Sequence, residues 1–354
     1  MMATTAHQPS GRLLPAPRPC GDGTVGFDPR DIASHYAFPS GFDGTGTTIA
    51  FVSLSGALRR ADVDTYFSAM PGIAPVIEVT ALPGSSSNPA ADAGLAMSLE
   101  LLGSVAPGAR LAVYLADSTE QGVFNGLTAA IHSRAHPADV VCLTWTIDEA
   151  RVSPALAGVV NEVMQEATVL GLPVCAPAGV WTGESLHPVF PGTHPSVLAC
   201  GATRAVRQGI GLAEQPMVST RRPPSASVLW GIEPWQALAI GGPGASASRR
   251  PVPDVSALAG GEVGYRVYLN GTWTSVTGPG AAACIWAGLV ARLRQALGRP
   301  FDLAGSLYRT LGPDGCLSPV PAPQPGTQTA AVWDSRVGWG SPDGQRILAK
   351  LLAR

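Results

Sequence analysis

The groups in this chain that could do chemistry are six cysteines, six histidines and scattered carboxylates, and their spacing argues against most of the chemistry they could do. Cys20, Cys142, Cys175, Cys200, Cys284 and Cys316 form no CxxC pair, so they lack the clustered spacing of a zinc site. Cys142, Cys175 and Cys200 lie inside apolar runs and read as buried thiols of a reducing compartment. Cys284 could be a nucleophile, but it sits in an Ala-rich helical run and reads as core. His132 and His136 would share a face of a continuous helix, as a metal pair needs. Pro137 follows His136, however, and a residue before proline is pushed out of helical geometry. His187 and His194 flank a Phe-Pro-Gly segment and read as loop residues. There is no Gly-x-Ser-x-Gly elbow, and the Gly-rich stretch 241–248 does not sit between a strand and a helix as a phosphate cradle would.

The elements that would position such groups are legible from the hydrophobic pattern. With 354 residues, 45% hydrophobic and 14% charged, the chain can bury a large core. A net charge of −2 with no long run of one sign gives no footprint for nucleic acid or for a membrane surface. No apolar run reaches the roughly 18 residues that span a bilayer, and the N-terminus lacks a signal-peptide core, so a cytoplasmic protein is expected. Short, uninterrupted apolar runs at 49–54, 74–82, 110–116, 139–145, 173–178 and 196–202 predict buried strands. They alternate with helical spacing at 61–70, 92–105, 120–133 and 153–170, which predicts a parallel α/β sheet with helices on both faces. Residues 203–275 are less regular apart from a hairpin turning at Asn270-Gly271. Helices are expected at 280–297, 303–311 and the C-terminus. Residues 1–34 read as a partly disordered N-terminal arm ahead of one domain, 35–354.

Several segments, in order, resemble the sedolisin family of serine-carboxyl peptidases: HYAFPSGFDGTGTTIAFVSL (35–54), APGARLAVYLA (106–116), HPSVLACGATR (194–204), EPWQ (233–236), RRPVPDVSA (249–257), GLVARLRQALG (288–298) and VGWGSPDGQRIL (337–348). The resemblance implies a subtilisin-like fold. It also implies a site in which a helical Glu is the base, an Asp one turn later orients it, a Gly-Thr-Ser motif supplies the nucleophile and another Asp completes the oxyanion hole. A serine hydroxyl needs a base within hydrogen-bond reach, and a carboxyl that donates to an oxyanion must stay protonated.

Carried over position by position, that resemblance finds none of these groups. The base falls on Gly94 and the orienting Asp on Ser98. The nucleophile motif reads Gly278-Pro279-Gly280, placing Gly280 where the serine would stand. The oxyanion Asp falls on Val180. Asp92 and Glu100 lie near Gly94 in sequence, but neither is one helical turn from it. The family's calcium loop is matched only by Asp334-Ser335, too few ligands for calcium, so no metal and no cofactor are expected. Only about 34 residues precede the matched region, so a full prodomain is not expected. The backbone features of a peptide-binding groove survive these losses: Thr144-Trp145-Thr146 stands where the family has Ser-Trp-Gly, with Ala178 and Gly179 in the facing wall. The expected function is therefore a pseudopeptidase that binds a peptide or protein or serves as the partner subunit of an enzyme. The alternatives are an active serine endopeptidase of the family, or an enzyme with a repurposed cleft.

Overall fold

The computed structural model describes residues 13–54, 57–85, 92–182, 185–217, 225–241, 248–320 and 332–353. The first part of the expected arm, 1–12, and the Gly-rich loop at 242–247 lie outside them. The rest of the arm is built into the domain. Strand β1 (Arg18–Pro19) pairs with β2 (Val25–Phe27), and Asp28 caps α1 (Pro29–His35). Strands of two and three residues carry no periodicity, so this docking cannot be read from the sequence.

The alternation then proceeds as the apolar runs predict: β3 (Thr48–Leu54), α2 (Arg60–Ser68), β4 (Val76–Ala81), α3 (Ala93–Val105), β5 (Arg110–Ala116), α4 (Glu120–His132) and β6 (Val140–Leu143). After a short β7 (Ile147–Asp148) come α5 (Pro154–Val169), β8 (Val174–Pro177), the hairpin strands β9 (Gly179–Thr182) and β10 (Ser185–Phe190), and the long β11 (Val197–Gln208). Helix starts are set by side-chain caps. Asp92, Thr119 and Ser153 accept from the backbone N–H groups of Leu95, Gly122 and Leu156 and so satisfy donors that have no partner within the helix. The irregular region contains β12 (Gly211–Pro216), β13 (Ser225–Gly231), α6 (Pro234–Gly241), β14 (Arg249–Val252), β15 (Val255–Gly261) and the hairpin β16 (Gly264–Leu269)–β17 (Thr272–Val276). That hairpin turns where expected, with Asn270 and Gly271 both at positive φ. Helices α7 (Gly280–Leu297), α8 (Leu303–Ser306) and α9 (Gly344–Leu352) complete the described chain. A π turn, Leu307–Leu311, continues α8.

The central sheet runs β12-β11-β8-β6-β3-β5-β4, with β15 also on β11, and is parallel except for β12. Helices α3 and α7 pack on one face and α4 and α5 on the other, each against its own apolar cluster. The fold is the α/β architecture predicted. Two buried polar networks hold it behind the cleft. Asp254 takes both arms of Arg250 at 2.9 and 2.7 Å, the Tyr308 hydroxyl at 2.5 Å and the Ala199 N–H at 2.8 Å, while Gln236 donates to Tyr308. Glu214 accepts from Tyr36, Thr203 and Ser341, and burial raises its carboxyl pKa.

Candidate functional site

In a parallel sheet, side chains that do chemistry gather at the carboxyl ends of the strands. Here that edge is where β6 ends, where β8 passes into β9, and where α3 and α7 begin. Gly280 opens α7 behind Pro279, which gives the helix no side-chain cap. A Cβ added to Gly280 would stand 2.8 Å from Cβ of Thr144 and 3.1 Å from its Cγ2. Thr144 therefore fills the place a side chain at 280 would need, and glycine is the residue that fits. A Cβ on Gly278 would touch Cε of Met97 at 3.3 Å, so the middle of α3 meets the start of α7 through an apolar side chain.

The α3 positions are arranged differently. A Cβ on Gly94 would meet only Asp92 Oδ1, at 3.1 Å, so there is room for a side chain but none is present. Asp92 is occupied with capping, accepting from Leu95 N–H at 2.7 Å. Ser98 is fully buried and donates its hydroxyl to the Gly94 carbonyl at 2.6 Å, turned into its own helix. Glu100 cannot substitute for the base. At about 100° per residue it lies on the far side of α3 from Ser98, and it is buried, accepting from Tyr268 N–H at 3.0 Å. Burial pushes its carboxyl up to about 9, so it is protonated at neutral pH. Under the Gly280 seat lie two thiols, Cys142 and Cys284, with Sγ atoms 3.9 Å apart and both fully buried. Burial raises the pKa of Cys142 and keeps it a thiol. The seat thus offers a threonine hydroxyl, a thioether and two thiols. Among the described residues, none of these four side chains is a carboxylate or imidazole able to take a proton from a nucleophile. Val180 lies in β9, its backbone paired with His187, and a valine side chain has no hydrogen to give an oxyanion.

Thr144, Trp145 and Thr146 follow the end of β6, and Ala178 and Gly179 stand where β8 passes into β9. The paired register of β6 ends at Leu143, so Thr144, Trp145 and Thr146 continue past the last ladder residues and are half-buried. Trp145 keeps a buried indole N–H with no partner among the described residues, and its ring lies 6.5 Å from Phe190. The opposite wall is partly in use. Ala178 N–H donates to Cys200 O, Ala178 O accepts from Val189, and Gly179 pairs with Pro188. Strand β10 joins the two walls, pairing with β9 along Ser185–Pro188 and with β7 at Val189 and Phe190.

The remaining candidates fall away from this edge. His132 meets Glu166 at 2.7 Å and His136 meets Glu78 at 2.7 Å, in separate pairs, because α4 ends at His132. Asp334 faces the Arg336 guanidinium at 2.9 Å, a donor set that does not fit a calcium ion. Among the described residues no three His, Cys, Asp or Glu side chains are placed to hold a metal. Sequence reasoning missed the steric role of Thr144, because contacts between distant segments leave no local signal.

The chain is 32% identical to kumamolisin of Bacillus sp. (strain MN-32) over 352 residues, which is 92% of this chain and 64% of that protein. It is 26% identical to sedolisin of Pseudomonas sp. (strain 101), covering 93% of this chain and 61% of that one. It therefore spans a little under two thirds of these relatives' own lengths. No family model matches it. The structure of Pseudomonas sedolisin, a serine-carboxyl proteinase complexed with two molecules of pseudo-iodotyrostatin, superposes with a TM-score of 0.77 at 21% identity. The superposition covers 93% of this chain and 98% of that one.

Proposed function

The chain belongs to the sedolisin family, and from that premise we propose that it is a pseudopeptidase, a module that binds an extended peptide or protein segment in the family's cleft without cutting it. The observation that carries the proposal is Thr144 filling the space above Gly280. A serine lost by substitution alone would leave an empty seat, whereas this seat is packed. Gly94 and the buried, protonated Glu100 support the same reading from the base's side. Binding is supported by Thr144 to Thr146, whose main chain runs past the ladder and can take an extended strand by β-addition. Six unbridged, buried cysteines suit a reducing compartment, and we place the protein in the cytoplasm on that ground.

The test is a fluorescence titration with arrays of extended peptides, alongside a product assay. Intact peptides should bind, and Thr146→Pro, which removes a main-chain donor from the groove wall, should weaken them. Binding that ignores this substitution would move the site elsewhere. Cleaved peptides would favour the second reading, an active serine endopeptidase, which rests on similarity to two peptidases.

A further inference from the structure

We propose that the chain carries a second ligand site, for a small organic amine, at the pole opposite the cleft. The amino ends of β8 and β11, marked by Val174 and Ser196, open into a cavity of about 500 Å³ bounded by α5, α6 and α8. That volume lies within the usual range for small-molecule sites, roughly 300–1,000 Å³. The lining has the division of labour such sites show. Leu172, Leu198 and Phe301 give an apolar floor, and one face of the half-buried Trp235 forms a wall. Tyr308 holds that indole edge-on at 5.0 Å.

The charge in the cavity selects the ligand. Asp302 and Arg309 satisfy each other at 2.6 Å. Glu233 has no ion pair or side-chain hydrogen bond among the described residues, so the lining keeps one unpaired negative charge. His194 does not offset it. Its Nδ1 accepts from Ser196 N–H, so Nε2 carries the proton and points at Asn161 Oδ1, 3.2 Å away. Burial, with Arg250 beside it, holds the imidazole down at about 3, and it stays neutral above that pH. An ammonium group facing Glu233, on an apolar body lying along Trp235 and over Phe301, meets every one of these features. The indole face adds an attraction for the cation.

Phenethylamine, phenethyl alcohol and phenylacetate share one body and differ in charge. Each is titrated calorimetrically into the full chain. The amine should bind about tenfold more tightly than the alcohol, and phenylacetate should not bind. Glu233→Gln, at a partly exposed position that leaves the fold alone, should bring the amine down to the affinity of the alcohol. In proton–nitrogen spectra the Trp235 indole signal should move on addition of amine. Equal binding of all three probes, binding of none in the millimolar range, or a preference for the amine that survives Glu233→Gln would each overturn the proposal.

Discussion

The two ends of the sheet treat polar side chains in opposite ways. At the amino end of β11, Arg250, Asp254, Tyr308 and Gln236 are fully buried or nearly so and are hydrogen-bonded to one another. At the carboxyl edge of the sheet, the positions assigned from the sedolisin resemblance are Gly94, Gly280, Ser98, whose hydroxyl turns into its own helix, and Val180. The same polypeptide therefore keeps demanding buried polar networks where they hold strands together, and on the proposed reading the groups that would move protons at the cleft are gone. A buried ion pair must be complete to be tolerated. A cleft side chain, by contrast, can be removed at little cost in stability if its space is filled. The packing of Thr144 against Gly280 is that filling.

Four substitutions break or sharpen this contrast, in descending order of effect. Asp254→Asn leaves Arg250 buried without its counter-charge and should cost about 3–5 kcal/mol, seen as an early urea midpoint. A midpoint within error of the parent would mean that the network is not structural. Gly280→Ser puts an oxygen and a Cβ into the space of Thr144, at an expected ~1–3 kcal/mol for overpacking. Adding Thr144→Ala should restore most of that. Additive losses in the double variant would show that the two positions are not coupled.

Glu100 gives a pH signature. Its folded carboxyl, raised by burial to about 9 from an ordinary 4.5, binds its proton more tightly in the folded state. Folded protein therefore holds more protons than unfolded between these values, and stability should fall as pH rises from about 4.5 towards 9. Glu100→Gln, which can still accept from Tyr268 N–H, should flatten that fall, and an unchanged slope would refute the assignment. The smallest effect belongs to His132→Ala. It removes an exposed pair with Glu166, typically worth under about 1 kcal/mol, and a larger loss in melting experiments would contradict its surface placement.

Much of the scaffold could be read from the residues. Apolar runs such as RLAVYLA and capped helices such as the one behind Asp92 carry their own periodicity, and both formed where the pattern put them. Strand β15 did not declare itself, because Pro251 and Pro253 break up the apolar run just before it, and its partner β11 lies far back in the chain. At the candidate site only identities were legible, since a glycine at 94 or 280 excludes a side chain wherever it lies. Its packing was not. Nothing near Thr144 in sequence points to Gly280, and nothing near Glu100 points to the backbone of Tyr268. Such long-range pairs exist only once the sheet has formed.

The proposed loss of proteolysis is directly measurable. The purified chain is incubated with a broad peptide mixture from acidic to neutral pH, and the products are read by mass spectrometry. The expected result is no cleavage beyond that of buffer at any pH. Specific cleavage that persists through purification and disappears in Thr144→Val would contradict it, because the hydroxyl placed against the Gly280 seat would then be acting as a nucleophile.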